Sequence, residues 1–290
     1  MTKLRRNTML VTGACGGIGR CAIRRAGASS NLLLTDVAEG ALDAFAQTLR
    51  DEGFSVVRTV AGDLADSAVL SRLSESIADN DGLDRLIHTA GLSPAQAGWN
   101  AILGVNILAT QRLVAMVEPV LNPGAAAVMV ASMAGHVGPD TPEVQNVLDG
   151  SLDDQKLEDV GRLLVSMSQG KVEIAAQLAY MFSKRAVIQL AEQRAPAWGA
   201  RGARIMTISP GLIYTPMGLK EADCDPRIKA MIEAQPIGRW GTANDIADAI
   251  AFLLGPSASF ITGCDLRIDG GATALNRTSS TDTSIAELDA

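Results

Sequence analysis

Two residues with complementary chemistry stand one helical turn apart in AYMFSK, as Tyr180-x-x-x-Lys184. A free phenol, with a pKa near ~10, is too weak a base to take a proton at neutral pH. On a helix the i and i+4 positions share a face, and an ammonium held beside the phenol favours the phenolate. The pair can therefore serve as a general acid/base that exchanges one proton with an alcohol oxygen. Seen alone, a Tyr and a Lys at this spacing also describe an ordinary pair on a helix surface, so their surroundings decide.

A second constellation lies near the N-terminus, in TGACGGIGR (12–20). Gly13 permits a tight turn, Gly17 lets backbone amides approach a pyrophosphate at the opening of a helix, and Gly19 lets that helix pack close to a sheet. Cys15 and Ile18 complete the loop. Asp36 closes the next apolar run, where a carboxylate accepts hydrogen bonds from a ribose diol and repels a 2′-phosphate. Cys15 in the loop and Val37 after the aspartate supply no compensating charge, so the cofactor expected is NAD rather than NADP. The same carboxylate also suits a cap for a helix beginning near Ala38.

The elements that must position these groups follow from the apolar pattern. Short β-prone runs, TMLVT (8–12), NLLLTD (31–36), FSVVRTV (54–60), LDRLIHT (83–89), AAVMVAS (126–132), ARIMTIS (203–209) and CDLRIDGG (264–271), alternate with stretches of helical period. Runs apolar on both sides suit strands covered by helices on both faces. The expected fold is a single α/β domain over residues 1–275, a doubly wound, Rossmann-type parallel sheet of seven strands. Two segments depart from the repeat: a helical insertion at 136–171 ahead of the tyrosine helix, and a substrate lid at 212–240. Residues 276–290 are polar and are expected to form a flexible tail or to dock on a partner subunit.

Composition excludes several function classes. With 290 residues, 47% of them hydrophobic, the chain can bury a large core, and its net charge of −7 is spread without a basic block. Nucleic acid is thus a poor partner. The 4 cysteines and 2 histidines show no metal-ligand spacing. The N-terminal apolar run breaks at Thr12-Gly13 before a signal sequence develops, and no apolar run of membrane-spanning length is read, so the cytoplasm is expected, in keeping with free thiols.

In order along the chain, these motifs resemble the short-chain dehydrogenase/reductase family, over about residues 7–275. The markers are the TGACGGIG loop, Asp63-Leu64, HTAG (88–91), Asn106 in GVNILAT, Ser132 in VASMAG, the Tyr180/Lys184 pair and SPGLIYTPM (209–217). The resemblance implies an oxidoreductase that moves hydride between an alcohol carbon and a nicotinamide. Tyr180 would then exchange the proton, Lys184 would hold the nicotinamide ribose, Ser132 would donate to the substrate oxygen, and Asn106 would hold a water leading from Lys184 to solvent. It also implies that Asp63 binds the adenine amino group with Leu64 against the ring, that Ala90 and Gly91 line the adenosine ribose, and that Pro210, Gly211, Ile213 and Thr215 meet the nicotinamide amide and the phosphates. His88 and Thr89 replace the usual asparagines and inherit no role.

Ser132 and Tyr180 are separated by far more chain than is usual in the family. A similar enlargement is found in the branch resembling bacterial 3α-hydroxysteroid dehydrogenase/carbonyl reductase, which points to a bulky hydrophobic secondary alcohol or ketone, such as a hydroxysteroid or aromatic alcohol. Met217, Leu219, Met231 and Ile232 give the lid apolar residues for closing over it. Two other readings are a non-catalytic NAD-binding regulatory protein, which would have lost part of the Asn106, Ser132, Tyr180 and Lys184 set, and a sugar-nucleotide epimerase or dehydratase, which would need a larger C-terminal domain. In the insertion, Leu152, Leu157, Val160, Leu163, Leu164 and Met167 form an apolar stripe opposite Asp153, Asp154, Glu158, Asp159 and Arg162. That stripe is expected at the pocket rim or in a subunit contact, with surface decoration a further option, and the assembly is expected to be a homodimer or homotetramer.

Overall fold

In a computed structural model, which describes residues 6–138, 141, 142, 144 and 153–277, each of the seven apolar runs becomes a strand of one sheet. The first half runs β1 (Asn7–Thr12), α1 (Gly17–Ala26), β2 (Ser30–Asp36), α2 (Glu39–Asp51), β3 (Ser55–Ala61), α3 (Ser67–Ala78) and β4 (Leu83–His88). There follow α4 (Trp99–Leu103), a π-helical turn (Gly104–Ala109), α5 (Thr110–Val117), β5 (Leu121–Val130), α6 (Asp154–Met167), α7 (Val172–Gly199) and β6 (Arg204–Pro210). The chain continues with β7 (Ile213–Tyr214), α8 (Pro216–Cys224), α9 (Arg227–Ala234), β8 (Gly241–Thr242), α10 (Ala243–Leu254) and β9 (Asp265–Ile268).

The sheet order is β3-β2-β1-β4-β5-β6-β9, and every neighbouring pair is parallel. β7 and β8 form a separate two-stranded ribbon across the base of the lid. Side chains of a strand alternate between faces. Leu10 accordingly packs with Leu73 of α3, Leu113 of α5 and Val187 of α7, whereas Met9 and Val11 pack with Ile23 of α1, Phe45 of α2 and Ile250 of α10. Strand order reverses between β1 and β4, which opens a crevice at their C-terminal ends.

Local signals start the helices that frame this crevice. Asp66 caps α3 by accepting from Ala68 N, and Thr242 and Asp245 form a capping box at α10. The helical stretch Trp99–Val120 is long and apolar enough to cross a membrane, a run the sequence pattern alone missed. Its residues Ile102, Leu103, Leu113 and Val117 are core residues packed against neighbouring helices and the sheet.

The insertion helix folds back onto its own chain. Leu157, Val160 and Leu164 of α6 are buried with Ile102 and Leu103 of α4 and with Ala176, Ala179 and Phe182 of α7. Gly161 lets α6 touch Trp99, for an added Cβ would stand 2.1 Å from the ring carbon Cζ3. The buried stripe is narrower than the sequence pattern predicts: Leu163 is half-buried and Met167 is 38% exposed. Leu152 lies outside the described residues. Of the predicted tail, Asn276 and Arg277 are helical, continuous with a helical turn begun at Ala272, and 278–290 lie outside the described residues.

Candidate active site

The loop between β1 and α1 is shaped by glycines that nothing larger can replace. Gly13 takes φ +64°, and an added Cβ would sit 2.7 Å from Ala90 N; at Gly19 it would sit 2.4 Å from Gly13 O. α1 then opens behind Gly16 with no side-chain cap and no acidic residue in its first turn. Its first amides, at Gly17 and Ile18, therefore face a cavity as unshielded donors, the arrangement that receives a pyrophosphate. The start of the lid closes on the same loop, since a Cβ on Gly17 would meet Thr215 Cγ2 at 2.8 Å.

Asp36 stands at the end of β2 beside this loop and holds it. Its Oδ2 accepts from Cys15 N at 2.9 Å and its Oδ1 from Ala38 N at 3.3 Å. The cap expected of Asp36 for the helix near Ala38 is not made, since α2 has Ala38 as its N-cap and no side-chain cap hydrogen bond; the carboxylate instead holds the glycine loop and the turn ahead of α2. The Cys15 thiol is pushed up to about 11 by burial and then by Asp36, so it stays protonated. Asp63 is exposed and accepts from Ala65 N at 2.9 Å. Leu64, expected against an adenine ring, is instead only 5% exposed and packs in the core with Val60 and Val69, because the turn after β3 folds it beneath α3.

The fourth-strand motif fastens the loop from the other side. Thr89 Oγ1 donates to Thr12 O at 2.8 Å with Gly13 O at 3.1 Å, and Ala90 N reaches Thr12 Oγ1 at 3.4 Å. His88 is a structural residue: Nδ1 lies 2.6 Å from Thr12 Oγ1 and Nε2 2.8 Å from Thr110 Oγ1. Burial, then Lys184, depresses it to about 3, so the ring is neutral. Gly91 lines the cavity, and Ala90 lies behind it.

Ser132, Tyr180 and Lys184 converge on that cavity, which has a volume of about 260 Å³. Ser132 follows β5 and caps a short 3₁₀ turn, accepting from Ala134 N at 3.2 Å, while its hydroxyl is also hydrogen-bonded to the Tyr180 phenol. Lys184 is 6% exposed; its Nζ donates to Val130 O at 3.0 Å and lies 5.7 Å from the centre of the Tyr180 ring. Pro210, Gly211, Ile213 and Thr215 line the opposite wall.

Asn106 is brought to the same place but not into the cavity lining. Its Oδ1 accepts from Leu92 N at 2.8 Å, and its Nδ2 donates to Leu92 O at 3.0 Å and to Ser183 Oγ at 3.0 Å. Ser183 in turn donates to Tyr180 O at 2.8 Å. Both amide hydrogens are thereby engaged with protein groups, and the side chain clamps the segment after Gly91 to the tyrosine helix. The water-holding role expected for Asn106 is one that its side chain, so engaged, is not placed to perform as a donor.

The electrostatics of the pair differ from the sequence expectation. Burial raises Tyr180 well above the ordinary tyrosine range, Glu221 raises it further, and the Ser132 hydrogen bond offsets part of this. Burial also lowers Lys184 to about 8, against an opposing pull from Glu221. Desolvation outweighs the ammonium's favour for the phenolate because both groups are inside the protein and Lys184 is turned to Val130 O. At neutral pH the arrangement is a phenol beside an ammonium.

Several cavity residues carried no sequence signal, among them Gln96, Leu92 and above all Glu221, which reads in GLKEADC as one solvated charge among others. Of the predicted lid residues, Met217 lines the cavity, Ile232 is buried in the body, and Leu219 and Met231 face outward. No described residue of α6 lines the cavity. His136 binds Asp265 Oδ2 at 2.8 Å and Ser209 Oγ at 3.2 Å, tying the turn after Ser132 to β9 and β6.

A doubly wound sheet with an uncapped helix N-terminus and a Ser-Tyr-Lys group in its switch-point crevice defines a Rossmann-type nucleotide-binding protein. Residues 7–142 match the short chain dehydrogenase family model, and residues 156–273 match a model described as Enoyl-(Acyl carrier protein) reductase. A short-chain dehydrogenase/reductase of Alternaria brassicicola, bsc3, is 30% identical over 280 residues, 94% of this chain and 98% of that protein. The 3-alpha-hydroxysteroid dehydrogenase/carbonyl reductase of Comamonas testosteroni is 31% identical over 264 residues, covering 86% and 98%. A crystal structure of a short chain dehydrogenase from Burkholderia cenocepacia in complex with NADP superposes with a TM-score of 0.72 at 24% identity, covering 93% of this chain and 99% of that one, a likeness of fold. The chain belongs to the short-chain dehydrogenase/reductase family of oxidoreductases.

Proposed function

We propose that this chain is an NAD-dependent oxidoreductase interconverting a secondary alcohol and a ketone on a largely hydrophobic substrate, such as a hydroxysteroid or aromatic alcohol. The observation that carries the reading is the convergence of Ser132, Tyr180 and Lys184 on the cavity that also receives the open N-terminus of α1. The residues fit a nicotinamide dinucleotide: the α1 amides suit the pyrophosphate, Asp36 the adenosine ribose and Lys184 the nicotinamide ribose. NAD rather than NADP is supported by Asp36 itself and by the engagement of Arg20, which donates to Cys15 O at 2.9 Å and stacks 4.3 Å over Phe45. Leu92, Val130 and Met217 supply an apolar wall for the substrate body.

When bound, the cofactor supplies or accepts the hydride. In reduction, the Tyr180 Oη–H bond breaks and its proton joins the ketone oxygen as hydride reaches the carbon, leaving an alcohol and a phenolate beside Lys184. Ser132 donates to the same oxygen and stabilises the charge that develops on it. A phenol held above its ordinary pKa is in the protonated form that reduction requires at neutral pH, whereas oxidation needs the phenolate and gains with rising pH.

The test is an NADH-linked assay of the purified protein on a panel of secondary alcohols and ketones, with Tyr180→Phe alongside. Turnover in the wild type, lost in the variant while NADH still binds, supports the reading; a variant keeping more than a few per cent of the activity overturns the proton-transfer role. The assembly is proposed to be a homodimer or homotetramer in the cytoplasm, and a monomer by light scattering would refute the first part.

A further inference from the structure

The lid delivers a carboxylate to the reaction chamber. α8 starts behind Thr215, whose hydroxyl accepts from Gly218 N at 3.2 Å, and it is seated so closely that a Cβ on Gly218 would lie 2.2 Å from Ile213 O. This seating turns Met217, Gly218 and Glu221 into the cavity and leaves Leu219 and Lys220 exposed. Among the described residues, Glu221 is the one carboxylate that lines the cavity, and Lys184 the one cation.

Glu221 is incompletely supplied with donors. It faces Ser93, whose hydroxyl is fully buried and has no hydrogen-bond partner among the described residues, and it acts through space on Lys184 and Tyr180. Lys184 already donates to Val130 O. A carboxylate has room for about four hydrogen bonds. Closing an apolar molecule over one that still lacks donors carries a desolvation penalty, which a donor on that molecule removes. A second negative charge in the same enclosed space is repelled by the first.

We propose that Glu221 is a specificity-determining residue, selecting an apolar secondary alcohol or ketone that carries a second hydrogen-bond donor, hydroxyl or ammonium, beside the reacting carbon, and rejecting substrates with a carboxylate, sulfonate or phosphate there. This rests on the alcohol/ketone reading above and narrows its substrate class: the apolar wall takes the body of the molecule, and the lid reads its polar corner.

The experiment compares 1-tetralol, tetralin-1,2-diol and 1-hydroxytetralin-2-carboxylate as substrates of wild type, Glu221→Gln and Glu221→Ala in the presence of NAD. In the wild type, kcat/KM for the diol should exceed that for the mono-alcohol by about tenfold or more, with the hydroxy acid slower by at least as much again. Glu221→Ala should erase the preference for the diol and narrow the gap to the hydroxy acid. Glu221→Gln, which keeps an acceptor oxygen without the charge, should keep part of the first and lose the second. A role confined to holding the lid in place would lower all three rates together, and an unchanged order of the three substrates in Glu221→Ala overturns the proposal. Absence of turnover on every tetralin in the wild type counts against the hydrophobic-substrate reading instead. Calorimetric binding of the diol and the hydroxy acid to the NADH-loaded protein then decides the role of Glu221: tighter binding of the diol that disappears in Glu221→Ala supports it, and equal binding overturns it.

Discussion

Replacing His88 by asparagine should flatten the acid limb of this protein's stability curve. The ring is 2% exposed between two threonine hydroxyls, and burial together with Lys184 lowers its pKa from 6.5 to about 3. The fold accepts the neutral ring, while the unfolded chain takes up a proton near the ordinary value. Between about pH 6.5 and about pH 3 the unfolded state therefore binds more protons, and stability falls as pH drops. Each pH unit is worth about 1.4 kcal/mol, so His88 alone should cost about 2 kcal/mol at pH ~5, and about 4 to 5 kcal/mol near pH ~3. Asparagine does not titrate; the hydrogen bond it fails to make costs a similar amount at every pH and cancels from the comparison. Urea unfolding of both proteins at pH ~5 and pH ~7.5 measures the difference, the carboxylates common to both dropping out. The wild type should lose about 2 kcal/mol more than His88→Asn across that interval. Equal losses would refute a neutral, buried His88.

Alcohol oxidation should rise with pH well past neutrality, because Tyr180 is held above its ordinary pKa, and a rate already level at neutral pH would contradict that state. Asp36→Ala removes the acceptor of Cys15 N and the charge facing a 2′-phosphate, so the ratio of kcat/KM for NAD to that for NADP should fall by about tenfold, read from initial rates. An unaltered ratio counts against the assignment of NAD. Gly161→Ala would press a methyl into Trp99 and should destabilise the protein by about 1–3 kcal/mol, seen as a lower melting temperature; no change would mean that α6 does not bear on α4.

Much of the scaffold is legible without coordinates because its signals are local. Each apolar run that the sequence offered became a strand, and the five inner ones, β2, β1, β4, β5 and β6, read most plainly, since a central parallel strand must be apolar on both faces whatever lies around it. The glycines of the first loop were equally readable, because Gly13 and Gly19 are required by contacts made within a few residues of backbone and with the adjoining strand. The resemblance to the family brought Ser132, Tyr180 and Lys184 together on paper, and the structure places all three on one cavity.

What the tertiary structure decided is which of several identical-looking side chains ended inside. Nothing local distinguishes Glu221 from Glu173 or Asp223; the seating of Gly218 against Ile213 O turns one of them inward. Leu64 and Asn106 sit at their motif positions, yet the core took the first and Leu92 with Ser183 engaged the second. The apolar stripe of the insertion was plain in the sequence, and its burial against α4 and α7 rather than at the cavity depended on Gly161 meeting Trp99 from a distant part of the chain. The protonation of Tyr180 is the sharpest case. Its spacing to Lys184 is a property of one helix, but how strongly an ammonium can favour a phenolate depends on how much water both have lost, and that is set by the strands, turn and lid packed around them.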